Sequence, residues 1–167
     1  VAYAPPHVHE VSPPSGATKN PGLITVRGQN FGHNQPTVSI NGQACVVNAQ
    51  GTYHSELTCR VADGEGKGHV VTVTAGGQSS PTDEDEKTFS YNPPVITTFA
   101  PVTAPTSGLN ASGFPVIFSI HGSGFGRASN NMISVKFKTS TETPTREFTI
   151  DHSAMLTHSD SLIEFNL

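Results

Sequence analysis

Cys45 and Cys59 are the only thiols in the 167-residue chain, so its sulfur chemistry is narrow. Two cysteines can form one disulfide or stay as a pair of buried thiols, and alone they cannot close a four-ligand metal site. The eight histidines offer more ligands, but their spacing is poor. His7 and His9 share one face of a predicted strand, with no Cys, Asp or third His joining them in sequence. His152 and His158 stand six apart without a partner pattern. Surface or junction packing is the expected role of these rings. Asp83-Glu84-Asp85-Glu86 is the one acidic run. A calcium loop needs about six oxygens at set spacing, often around a glycine, whereas four consecutive carboxylates before a strand read as a solvated hairpin tip.

Asn110-Ala111-Ser112 is an N-glycosylation sequon in a Gly/Ser-rich stretch, where exposure suits it. No Gly-x-Ser-x-Gly elbow, His-Glu-x-x-His pair or phosphate loop occurs. The expectation is therefore no enzyme: no catalytic residue, no cofactor and no metal site. A net charge of −4 with nine scattered Lys and Arg gives no electrostatic reason to approach nucleic acid. No apolar run reaches the length of a membrane span, and Val1-Ala2-Tyr3-Ala4-Pro5 lacks the regions of a signal peptide.

The elements that position these residues are short and extended. Gly (16) and Pro (13) are abundant, and no segment of ten residues shows helical periodicity. Alternation predicts strands at His7–Val11, Leu23–Arg27, Thr37–Asn41, Ala44–Asn48, Glu56–Val61, His69–Ala75 and Lys87–Tyr91. Turn residues separate them, Asn41-Gly42 being the strongest hairpin signal. Seven short strands in about 90 residues suit a two-sheet antiparallel sandwich.

The pattern then repeats. Tyr3-Ala4-Pro5-Pro6 returns as Tyr91-Asn92-Pro93-Pro94, and Gly28-Gln29-Asn30-Phe31-Gly32 returns as Gly122-Ser123-Gly124-Phe125-Gly126. A period near 90 residues is that of a tandem array. The second copy predicts strands at Val95–Phe99, Val116–His121, Ile133–Lys138, Glu147–Asp151 and Ser161–Leu167. Leu167 aligns near Val61, so counterparts of His69–Ala75 and Lys87–Tyr91 are not in the sequence. The expected division is residues 1–4 as the end of a preceding repeat or linker, 5–92 as domain 1, and 93–167 as domain 2 lacking its last strands. Tyr91, Asn92, Pro93 and Pro94 form the interdomain junction, where two prolines favour a short, stiff, extended path. On this reading the chain is an interior stretch of a longer array.

Pro6, Ser12-Pro13, Ser15-Gly16, the apolar strand at Leu23–Val26 and the Gly-x-x-Phe-Gly element, occurring in that order twice, resemble the IPT/TIG family. The resemblance covers residues 5–94 and, incompletely, 93–167. It implies an all-β fold of two tandem immunoglobulin-like (IPT/TIG, E-set) antiparallel sandwiches, the second incomplete at its C-terminus. It also implies a disulfide between Cys45 and Cys59, at a position where extracellular members of the family carry one. Closing that loop would contribute roughly 3 kcal/mol and point to an oxidising, extracellular or cell-surface location. The expected function is a structural or adhesive segment of a surface rod or filament. Its partners would be protein (neighbouring repeats, self-assembly or a surface receptor) and glycan, with no nucleic acid and no direct membrane insertion. The alternatives are an accessory spacer of a carbohydrate-active protein or a nucleic-acid-associated module. Loops at Gly32–Pro36, Gly51–His54 and Pro144–Arg146 are candidate contact points.

Overall fold

A computed structural model describes residues 3–48, 53–82, 87–129, 132–139 and 144–167. The acidic run at 83–86 and residues 51–52 of one candidate contact loop lie outside the described residues. The fold is all-β, and the chain divides into two compact units, Val1–Pro93 and Pro94–Leu167. Among the described residues no helix is long and apolar enough to cross a membrane.

In the first unit the strands are β1 (His7–Ser12), β2 (Ser15–Gly16), β3 (Leu23–Gln29), β4 (Thr37–Ile40), β5 (Gln43–Val47), β6 (Glu56–Arg60), β7 (His69–Ala75), β8 (Gln78–Ser79) and β9 (Thr88–Tyr91). Hydrogen bonding runs β1-β3-β6-β5-β4-β7-β9-β2, with β8 on β7. This path is two sheets sharing one strand: Ala44 and Cys45 of β5 pair with β4, whereas Val46 and Val47 pair with β6. The layers thus meet where β5 passes from one to the other. Between them lies a core of Val8, Ile24, Val26, Phe31, Val38, Leu57, Val71, Val73 and Phe89. Strict alternation in β7 sends Val71 and Val73 inward. β1 breaks that rule. A bulge between Val8 and Glu10 shifts the phase, so Val8 and Val11, three apart, both reach the core.

The second unit contains β10 (Val95–Ala100), β11 (Ile117–Ser123), β12 (Ser134–Lys138), β13 (Glu147–Asp151), a single 3-10 turn (His152–Ala154), β14 (Met155–His158) and β15 (Leu162–Asn166). One sheet runs β10-β11-β15-β14, and β12-β13 is a separate hairpin. The registers are equivalent to those of the first unit. Ile24 faces Cys59 as Phe118 faces Phe165, and Val38 faces Cys45 as Val135 faces Ile150. The bulge of β1 recurs in β10 between Ile96 and Thr98. The peptide bonds Ser12-Pro13 and Ala100-Pro101, at matching positions, are both cis. β13 and β14 correspond to the two halves of β5, divided here by the 3-10 turn, so among the described residues of the second unit no strand is common to both sheets.

Candidate functional site

The resemblance-based pairing of the cysteines is present. Cys45 and Cys59 are joined, with Cα atoms 5.4 Å apart, and both are buried. Cys45 sits on the part of β5 that pairs with β4, and Cys59 on β6 of the other layer. The bond therefore ties the two sheets together at their crossing. In the second unit the matching positions hold Ile150 and Phe165, both buried. Phe165 packs against Phe118 with ring centroids 5.4 Å apart and meets Phe137 edge-on at 5.9 Å. Aromatic packing occupies the place of the disulfide.

The Gly-x-x-Phe-Gly element builds the same device in each unit. Phe31 N–H donates to His54 O (3.1 Å) and Gly28 N–H to Ser55 O (2.9 Å). Likewise Phe125 N–H donates to Asp160 O (3.1 Å) and Gly122 N–H to Ser161 O (3.0 Å). Both rings are buried. The glycines beside each ring supply a positive-φ turn. Left-handed backbone falls on Asn30 (φ 62°) and Gly32 (φ 79°), and on Gly124 (φ 75°) and Gly126 (φ 84°). Gly28 and Gly122 instead serve close approach. A Cβ on Gly28 would collide with His7 O and the Phe31 ring, and one on Gly122 with Val95 O and the Phe125 ring.

Of the junction residues, Tyr91 is anchored inside the first unit. Its hydroxyl donates to Ala62 O (2.8 Å), its ring fills the space beside Gly64, and it meets Phe89 edge-on at 5.3 Å. Asn92 N–H donates to Gly16 O (2.7 Å), and Pro93 and Pro94 are exposed.

At one end of the first sandwich, a cleft of about 470 Å³ is lined by Asn30, His33, Asn34, His54, Gln78 and Tyr3, among others. His33 and His54 stack at 5.6 Å with 16° between their planes. Two candidate contact loops, Gly32–Pro36 and the one ending at His54, therefore converge here. Sequence spacing could not show this, because the residues lie 21 apart on different strand connections. Pro144–Arg146 lies in the β12-β13 connection of the other unit.

Four of the six remaining histidines form two further pairs. The His7 and His9 rings are 4.6 Å apart, and those of His152 and His158 are 5.4 Å apart, with His158 Nε2 2.9 Å from Phe125 O. Among the described residues no three His, Cys, Asp or Glu side chains could hold one metal ion. Asn110 is exposed in a tight turn, its Oδ1 accepting from Ser112 N–H (2.9 Å) and Phe114 N–H (3.1 Å).

Surface charge is organised across strands. Glu10, Arg27 and Glu56 face one another on β1, β3 and β6. Arg27 donates to Glu56 (2.8 Å) and Glu10 (3.1 Å), and both carboxylates, Glu56 foremost, push its pKa up. On the second unit's hairpin Lys138 hydrogen-bonds Glu147 (2.6 Å), which holds that carboxyl below the ordinary glutamate range.

The fold is similar to that of the surface glycan-binding protein PbSGBP-B from Prevotella bryantii, with a TM-score of 0.55 and 17% identity over 100% of this chain and 37% of that one. Similarity extends to the plexin A4 extracellular region (TM-score 0.41, 13% identity, 97% of this chain and 12% of that one). It also extends to an auxiliary nutrient binding protein from Bacteroides ovatus (TM-score 0.41, 25% identity, 57% and 23%). The chain spans little more than a third of the first protein's length and less than a quarter of the others'. At such identities the likeness is one of fold. The model of the IPT/TIG domain matches residues 6–91, more than half of the sequence and the whole of the first sandwich, and the chain belongs to the IPT/TIG family.

Proposed function

We propose that this chain is a non-catalytic structural and binding segment of an extracellular or cell-surface protein, a tandem of immunoglobulin-like domains that serves in adhesion or in a filamentous surface structure. The observation that carries the reading is the buried Cys45–Cys59 bond across the two sheets. A bond so placed contributes most where thiols are not kept reduced. The repetition of one structural device in both units fits a spacer that sets distance and presents loops. Pro93 and Pro94 would limit bending between domains. Labelling intact source cells with a membrane-impermeant amine reagent tests the placement. Exposed Lys67 should be modified before lysis. Labelling that appears only after lysis would reject a surface location.

A second reading, a spacer or binding domain within a surface glycan-binding protein, is favoured by the fold shared with PbSGBP-B over the full chain. The cleft at the end of the first sandwich would suit a neutral sugar, since amides of Asn30, Asn34 and Gln78 can bond hydroxyls beside flat imidazole faces. Retention on an oligosaccharide array, lost on His54→Ala, is the expected result for this reading, and no retention on any glycan would exclude it.

A further inference from the structure

One loop of the second unit is longer than its match in the first. Pro13 and Ser15 are separated by one residue, whereas the equivalent Pro101 and Ser107 are separated by five. The extra residues fall within Val102-Thr103-Ala104-Pro105-Thr106, which lies outside any strand and is exposed throughout. That exposure belongs to the place in the fold. Pro13, Pro14 and Ser15 hold the same place in the first unit and are exposed even with β9 paired alongside. Loops are where a sandwich accepts such insertions.

Local chemistry holds the loop open. Pro105 has no N–H to pair and keeps Ala104 out of helical backbone. Gly108 N–H donates to Pro105 O (3.0 Å), which closes a turn with Thr106 at its corner. The two threonine hydroxyls are free as well as exposed. On the strands, Thr97 donates to His121 O (3.0 Å) and Thr157 to Glu164 (2.8 Å). Among the described residues the hydroxyls of Thr103 and Thr106 bond to nothing. No Asp, Glu, Lys or Arg occurs between Lys87 and Arg127, so the loop and the chain flanking it carry no charge.

We propose that Thr103 and Thr106 are acceptors for O-linked sugar. Each Oγ1 attacks the anomeric carbon of a nucleotide-activated sugar, and the bond from that carbon to the diphosphate breaks. The nucleoside diphosphate leaves with the electron pair, and the hydroxyl proton passes to a base of the transferase. Hydroxyl residues among prolines are the composition of O-glycosylated stalks. Sugars on this loop supply the hydration that charged side chains supply elsewhere on the surface. Thr82 after Pro81 and Thr145 after Pro144 are also exposed, but an acidic run follows the first and Arg146 the second. They are the internal comparison for the uncharged loop.

The test secretes the full chain from a eukaryotic cell line behind a cleavable signal peptide, so the compartment is imposed by the experiment. The acceptor assignment rests on the extracellular reading only for where transfer takes place in the source, and lysine labelling of intact cells tests that reading separately. After peptide N-glycosidase, the mass should exceed that of the bare chain by at least one N-acetylhexosamine. Electron-transfer fragmentation should place it on Thr103, Thr106 or both. Thr103→Ala combined with Thr106→Ala should lose the excess while secretion and the Cys45–Cys59 bond persist. A treated chain at its bare mass overturns the proposal. Sugar that falls on Thr82 and Thr145 as often as on Thr103 and Thr106 would overturn it equally.

Discussion

The ring of Phe31 lies where a Cβ on Gly28 would have to go, with the carbonyl of His7 closing the other side. Gly122 and Phe125 stand in the same relation, with Val95 in place of His7. Glycine here is a contact surface rather than a hinge. Gly28→Ala and Gly122→Ala should each cost about 2–3 kcal/mol, because either the ring or a paired strand must shift. Gly42→Ala is the control: its φ of 79° strains any side chain, but nothing lies within 4 Å. That change should cost only about 1 kcal/mol. Urea denaturation of the three variants checks the order.

The disulfide and its aromatic replacement predict separable effects on the two units. Cys45→Ala combined with Cys59→Ala should destabilise the first unit by about 3 kcal/mol and leave the second unchanged. Phe165→Ala should do the reverse, costing about 3–5 kcal/mol in the second unit, since a fully buried ring packed against Phe118 and Phe137 is lost. Scanning calorimetry should show one transition moving in each variant. Both transitions moving together would mean that the units unfold as one.

The clearest sequence signals came from positions where side-chain pattern and backbone agree. His69–Ala75 is a strand with the bounds its alternation predicts, because Val71 and Val73 both face the core. The equivalence of Leu167 and Val61 also holds: Leu167 N–H donates to Val116 O as Val61 N–H does to Gly22 O. Strands β2, β8 and β14 were not legible. Two-residue strands carry no periodicity, and Met155–His158 takes its place from pairing with β15 rather than from alternation. The cleft was hidden for a different reason. It is assembled from separate loops whose convergence depends on strand order, as the His33–His54 stack shows.

Asn110 combines exposure with a turn in which its own Oδ1 caps the backbone of Ser112 and Phe114. Produced through a eukaryotic secretory pathway, the chain should carry one glycan at Asn110, seen as a mass shift removed by peptide N-glycosidase. Ser112→Ala should abolish the shift, since the sequon hydroxyl is lost while the backbone turn is kept. An unmodified mass for the unaltered chain would show that the turn blocks the acceptor amide.

Glu147 and Lys138 face each other at the end of the β12-β13 hairpin. The hydrogen bond from Lys138 and its charge depress the Glu147 pKa, and Lys136 adds a smaller push in the same direction. A carboxyl whose folded pKa lies below its unfolded value stabilises the fold above the unfolded pKa, and that contribution fades as pH falls through the folded one. The pair should therefore help at neutral pH and be lost only on acidification below the usual glutamate range. The side chains are solvent-exposed, so the effect should be small and salt-sensitive. Carboxyl carbon shifts followed by NMR should give a Glu147 midpoint below that of an unpaired glutamate. Lys138→Met should raise that midpoint most of the way to the ordinary value, because Lys136 still contributes. A midpoint that does not move would mean that the contact is not populated in solution.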